Sequence, residues 1–119
     1  MTIAGAVAYQ KKIKHLVTGV CQTDYSGYPD CRDSTMKSLQ ETLQLGMDYD
    51  IKIHTPLMWK SKAETIKLMQ DLGEIKLLKY THTCYEGKRP ACGNCFACEL
   101  RLKGFKEAGV IDPLEYENE

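Results

Sequence analysis

Four cysteines crowd one short stretch of the chain: Cys84, Cys92, Cys95 and Cys98, spaced C-x7-C-x2-C-x2-C. Four thiolates complete the tetrahedral shell of a structural zinc ion, each sulfur about 2.3 Å from the metal. Two cysteines separated by two residues reach one ion together. Gly93 lies inside such a turn, where the missing Cβ lets the backbone fold tightly. Cys95 and Cys98 are three residues apart and share a face if a helix begins there. Cys84 closes the shell from across a loop that holds Gly87 and Pro90. A shell of four thiolates leaves no position for water, so the expected role is structural rather than catalytic. An iron–sulfur cluster is the main rival, because C-x2-C-x2-C also occurs in ferredoxins. Those sites continue into a fourth cysteine before proline, or use a C-x4-C-x2-C spacing. This chain runs on as Cys98-Glu99-Leu100-Arg101 without another cysteine. Disulfides suit small secreted chains, and no charged segment leads into an apolar run at Met1.

A second group of reactive side chains sits in Asp24-Tyr25-Ser26-Gly27-Tyr28-Pro29-Asp30-Cys31-Arg32-Asp33. Carboxylates, tyrosines, a thiol and an arginine follow a short apolar run. In open α/β sheets ligands bind beyond the carboxyl ends of strands. A tyrosine stacks on a planar ring, and an arginine pairs with a carboxylate or phosphate through two bonds. The same words are also ordinary turn chemistry. Lys62 has two readings as well: a solvated helical lysine, or a cation beside a helix N-terminus, where phosphate binds well. His15, His54 and His82 lack metal-ligand spacing among themselves and read as structural residues, although His82, two residues before Cys84, is also placed to contact a metal ligand.

The elements that must position these groups are legible in outline. Ile3, Ala6, Val7, Gln10 and Ile13 mark one side of a first helix, with lysines near its end. Residues 16–20 read as a short buried strand, and residues 21–32 as a long loop. Asp33 is placed to cap a second helix with Met36, Leu39 and Leu43 inward, and Gly46 to end it. Ile51 to His54 alternates like a strand. Ser61-Lys62-Ala63-Glu64 has the form of a capping box opening a third helix, with Ile66, Met69 and Leu72 on its apolar stripe and Gly73 at its end. Leu77 to Tyr80 reads as a further short strand or as the approach to the metal site. A final helix follows Cys98, with Leu100, Leu102, Phe105 and Ala108, and stops at Gly109. Alternating helices and strands predict α/β layering with parallel strands. Two or three strands are few for a free-standing doubly wound sheet, so the fold is expected to need further strands or a partner.

Bulk properties narrow the function classes. The chain has 119 residues, 43% of them hydrophobic, and 16 basic against 16 acidic side chains. One domain fits this length, and a metal staple helps so small a core. Zero net charge gives no electrostatic case for a nucleic-acid or membrane-surface binder. No apolar run approaches the ~18 residues of a membrane span. Six cysteines in a chain expected not to be secreted point to a reducing compartment, and the expected location is the cytoplasm.

Taken together, the words Thr18-Gly19-Val20, Asp24-Tyr25-Ser26-Gly27-Tyr28-Pro29-Asp30-Cys31-Arg32, Thr55-Pro56-Leu57, Lys62-Ala63-Glu64, Thr83-Cys84-Tyr85-Glu86-Gly87, Cys92-Gly93-Asn94-Cys95-Phe96-Ala97-Cys98-Glu99-Leu100-Arg101 and Asp112-Pro113 resemble the C-terminal half of the 7-cyano-7-deazaguanine synthase family. That family belongs to the PP-loop ATP pyrophosphatase superfamily. The resemblance covers nearly the whole chain. It implies a partial Rossmann-like PP-loop layer (adenine nucleotide alpha hydrolase-like) with a C-terminal zinc-binding helical segment. Residues 1–80 would form the α/β part and residues 81–119 the four-cysteine zinc-binding part of a single domain. It implies an ATP-dependent carbon–nitrogen ligase that converts 7-carboxy-7-deazaguanine and ammonia to the nitrile through carboxylate adenylation, in queuosine and related 7-deazaguanine biosynthesis. Cys84, Cys92, Cys95 and Cys98 then match the zinc ligands, and Lys62 the lysine near the ATP phosphates. Asp24, Tyr28, Asp30 and Arg32 match the loop lining the deazaguanine site, and no catalytic residue is assigned. ATP and Mg2+ would be co-substrates. The family's pyrophosphate loop, S-G-G-x-D-S, does not occur in this sequence. The chain is therefore expected to be inactive alone and to act as a homodimer or with an N-terminal half. The alternative class is a non-catalytic zinc-stabilised module or half of a split enzyme.

Overall fold

The computed structural model describes residues 1–23 and 27–117. Its elements run α1 (Thr2–Gln10), β1 (His15–Val17), a 3-10 turn (Pro29–Cys31), α2 (Asp33–Met47), β2 (Lys52–His54), α3 (Lys62–Asp71), a second 3-10 turn (Ile75–Tyr80) and α4 (Phe96–Ala108). They fall into two compact units, Met1–Trp59 and Lys60–Glu119.

In the first unit β1 and β2 pair in parallel, with Leu16 opposite Ile53, and α2 makes the crossover that parallel strands require. Leu16 and Ile53 turn to a core of Ala8, Leu43 and Ile51, joined by Leu39, Met47 and Tyr49. Because side chains alternate along a strand, His15, Val17, Lys52 and His54 take the other face and are exposed. The imidazoles of His15 and His54 meet there, Nδ1 to Nε2 at 3.0 Å.

Several local expectations shift. In α1 the inward residues are Gly5 and Ala8, while Ile3 is 82% exposed and Val7 and Ile13 are also open to solvent. Backbone approach decides this: a Cβ on Gly5 would lie 2.9 Å from Leu43 Cδ1, so the glycine face is the one that can seat against α2. Asp33 is the first residue of α2 rather than its cap, and its carboxylate pairs with Lys37 at 2.6 Å. Gly46 stays inside the helix. Asp48 ends it at φ 47°, ψ 51°, a left-handed conformation that Asp tolerates better than most residues. The side-chain amide of Gln44 donates to the Ile51 carbonyl at 2.7 Å and ties the helix end to the entry of β2.

In the second unit the capping box of α3 is complete: Glu64 N–H donates to Ser61 Oγ at 3.2 Å, and Ser61 N–H donates to Glu64 Oε2 at 2.7 Å. These bonds, that from the Ser61 backbone first, hold the Glu64 carboxyl below its ordinary pKa. Gly73 follows the helix at φ 73°, and Ile66 is buried, whereas Leu72 is exposed. Residues 77–80 belong to the second 3-10 turn, not to a strand. A strand there would need a partner edge, and this unit's one β-bridge among the described residues joins Ala91 to Tyr116 instead. Helix α4 starts two residues before Cys98 and ends at Gly109, φ 69°. Among the described residues no helix is long and apolar enough to cross a membrane.

Candidate metal centre and ligand loop

The Sγ atoms of Cys84, Cys92, Cys95 and Cys98 all lie within 4.8 Å of one another. Cys84 and Cys92 sulfurs are 3.6 Å apart and those of Cys92 and Cys98 3.9 Å. A disulfide would need about 2.05 Å. A tetrahedron with ~2.3 Å metal–sulfur bonds needs about 3.8 Å between ligands. The donor set and its spacing therefore fit a four-thiolate metal site.

Local backbone geometry builds this cage. Gly87 (φ 66°) and Gly93 (φ 74°) take left-handed conformations that few other residues adopt readily. Gly87 N–H closes a turn onto the Cys84 carbonyl at 3.2 Å. Cys95 N–H donates to Cys92 Sγ at 3.3 Å, and Tyr85 N–H to Cys95 Sγ at 3.4 Å. Such donors favour a thiolate, the form a metal takes. The Cys95 thiol is accordingly lowered, by the Cys98 and then the Tyr85 backbone N–H. Burial raises the Cys98 thiol. Cys95 caps α4, and Cys98 sits in its first turn, buried with Cys84, Ala91, Cys92 and Tyr116. His82 donates through Nε2 to the Lys88 carbonyl at 2.7 Å; it braces the cysteine loop and touches no sulfur in that bond.

A buried ion pair behind the cage escaped the sequence reading. Arg101 and Asp112 side chains are only 7% and 5% exposed. Arg101 Nε donates to Asp112 Oδ2 at 2.7 Å and Nη2 to Oδ1 at 2.8 Å, a two-bonded fork. Its Nη1 reaches Thr81 O and Oγ1, and Nη2 also reaches Leu78 O. All five guanidinium donors are thus used. Asp112 further accepts from Tyr116 O–H at 2.7 Å and Leu114 N–H at 3.0 Å. Burial alone would raise the Asp112 carboxyl, but these bonds, Arg101's first among them, outweigh it and hold it below its ordinary pKa. One network joins the chain entering the cysteine loop (Leu78, Thr81), the helix leaving it (Arg101) and the C-terminal segment (Asp112, Tyr116). The available signal was the inward three-residue stripe Cys98, Arg101, Gly104 on α4, which places an arginine where only a paired one is tolerated.

The loop that the sequence marks as a candidate ligand site belongs to the first unit. Asp24 lies outside the described residues. Tyr28 and Arg32 come together with Cys21, Gln22 and Gly27 around a cavity of about 240 Å3. Asp30 sits in the adjoining 3-10 turn, exposed and outside that lining. Gln22, which sequence reasoning passed over, organises the loop. Its side-chain oxygen accepts from Asp33 N–H at 3.0 Å, at the start of α2, and its own N–H donates to the Met58 carbonyl at 2.9 Å. Thr35 Oγ1 donates to Pro29 O at 2.7 Å and fastens the turn to the helix. Lys62 lies in the second unit as the first residue of α3, directly after the Ser61 cap.

A family model described as "Queuosine biosynthesis protein QueC" matches residues 1–109. The chain belongs to the QueC family. It is 59% identical over 114 residues to a 7-cyano-7-deazaguanine synthase of Chromobacterium violaceum, an alignment covering 96% of this chain and 49% of that protein. Against the synthase of Laribacter hongkongensis the identity is 52%, over 96% of this chain and 50% of the relative. The synthase of Staphylococcus haemolyticus is 53% identical over 89% and 48% respectively. The chain thus spans about half the length of the curated relatives it matches.

Proposed function

We propose that this chain is the part of a 7-cyano-7-deazaguanine synthase that supplies the substrate loop, one ATP-phosphate contact and a structural zinc site. The observation carrying this reading is the 59% identity to a named synthase across 96% of the chain. In the complete enzyme the first unit would form one margin of a Rossmann-like PP-loop sheet, and the two units together the C-terminal half of the synthase.

The chemistry to be performed starts from a poor electrophile, a carboxylate that repels nucleophiles. Its oxygen attacks the α-phosphate of ATP and pyrophosphate leaves, giving an acyl adenylate. Ammonia adds at the carbonyl carbon and AMP departs, leaving the amide. The amide oxygen then attacks the α-phosphate of a second ATP and pyrophosphate leaves. The C–O bond of the resulting imidate adenylate breaks, AMP departs, and the nitrogen gives up its protons to leave the nitrile. On this reading Tyr28 and Arg32, with Asp30 and Asp24, hold the deazaguanine and its carboxylate. Arginine suits a carboxylate because its fork matches both oxygens. Lys62 stabilises ATP phosphates beside the N-terminus of α3, and Mg2+ accompanies the nucleotide. A zinc ion held by Cys84, Cys92, Cys95 and Cys98 would supply a structural cross-link between the loop and α4.

The test is to combine this chain with a polypeptide carrying the S-G-G-x-D-S half. AMP release that depends on 7-carboxy-7-deazaguanine and ammonia, with nitrile identified by mass spectrometry, is the expected result. ATP turnover indifferent to the carboxylate would reject the assignment.

A further inference from the structure

Gly104 sits in the middle of α4 and is buried. A glycine inside a helix destabilises it relative to alanine, so a buried one invites a reason. Its backbone is not left-handed. The reason is close approach: a Cβ at this position would lie 2.7 Å from Lys62 Cγ, 3.0 Å from Cδ and 3.1 Å from Cβ. The whole base of the lysine side chain therefore lies against the α4 backbone at the one point where that backbone carries no side chain. A clash confined to the tip of a lysine would be relieved by a rotamer change. Here Cβ and Cγ are involved, and Cβ moves only if α3 moves.

We infer that Gly104 is a positioning residue for Lys62: it provides the slot that fixes the lysine stem and so sets where the ammonium is delivered at the start of α3. The functional value of this slot rests on the reading of Lys62 as an ATP-phosphate contact; the packing claim does not. A lysine side chain has several rotatable bonds and loses their freedom when it is fixed. A stem already held against α4 has lost part of it before any phosphate arrives, which is the sense in which the contact is pre-organised.

The experiment is a double-mutant cycle on the zinc-loaded 119-residue chain, using Gly104→Ala, Lys62→Ala, Lys62→Arg and the two combined variants. Gly104→Ala lowers Tm by several degrees in the parent and equally in Lys62→Arg, whose stem begins with the same atoms. In Lys62→Ala, which lacks Cγ and Cδ, the loss falls to half or less. Equal losses in all three backgrounds overturn the inference. If Gly104→Ala does not fold, folding of Lys62→Ala/Gly104→Ala supports it, and failure of that combination overturns it. A second readout follows the ammonium itself. After reductive 13C-dimethylation, the Lys62 resonance, assigned by its loss in Lys62→Arg, stands apart from those of solvated lysines and collapses onto them in Gly104→Ala. No change in that resonance also overturns the inference. Adding ATP once the S-G-G-x-D-S half is supplied separates the two ideas. An unperturbed Lys62 signal there rejects the phosphate role while leaving the coupling intact.

Discussion

Replacing Arg101 with methionine removes the centre of the network behind the cysteine cage. The loss can be worked from its contacts. Five hydrogen bonds disappear, two of them to a carboxylate that is 5% exposed. Asp112 keeps only Tyr116 O–H and Leu114 N–H, and the carbonyl of Leu78 loses its charged donor. Breaking a buried pair from one side destabilises by about 3–5 kcal/mol, because the surviving charge stays buried without compensation. For a unit of this size that corresponds to a fall in Tm of about 12 °C or more. The measurement is denaturant and thermal unfolding of the zinc-loaded chain, parent against Arg101→Met. A companion, Arg101→Met/Asp112→Leu, removes both charges and should regain part of the loss, the remainder being the cost of leaving Tyr116 O–H and Leu114 N–H without their acceptor. A loss under about 1 kcal/mol, or no recovery in the double variant, would refute the claim that charge burial dominates here.

Four further outcomes are expected. The pH dependence of the same pair has a definite sign: the folded pKa of Asp112 is depressed, so its contribution is present above the unfolded carboxylate value of about 3.9 and is lost as pH falls through the folded value. The stability gap between parent and Arg101→Met therefore narrows below about pH 4, and a constant gap contradicts it. Metal analysis should return one zinc per chain, with Cys95→Ser losing both metal and thermal stability, since structural zinc binding is folding energy; iron with sulfide would overturn this. Lys62→Ala, assayed with the complementary half present, should depress nitrile formation strongly while leaving zinc content unchanged, and near-normal turnover would remove Lys62 from the site. The 119-residue chain alone, given ATP, magnesium, ammonia and the carboxylate, should form no nitrile, because one lysine cannot replace a cradle of backbone donors; sustained product would show a complete site by another route.

Short-range chemistry made much of this protein legible in its sequence. The C-x7-C-x2-C-x2-C spacing named the four sulfurs that converge, because ligand spacing and a turn glycine are properties of a few consecutive residues. The Ser61–Glu64 box and the stops at Gly73 and Gly109 were readable for the same reason, and the order of the motifs pointed to the family. Where outcomes depended on what an element packs against, the sequence was insufficient. The inward face of α1 was decided by how closely Gly5 approaches Leu43, not by which side carried the larger apolar residues. For residues 77–80 the sequence left a strand and an approach to the metal site both open, and the fold makes them part of a 3-10 turn. Arg101 and Asp112 lie 11 residues apart, and only the folding back of the C-terminal segment onto α4 turns two charged residues into a buried pair. Gly104 is likewise one of nine glycines in the sequence; what distinguishes it is the lysine stem that crosses it from another helix. Bonded neighbours and regular periodicity are encoded locally, whereas contact across elements depends on the distances that the tertiary fold imposes.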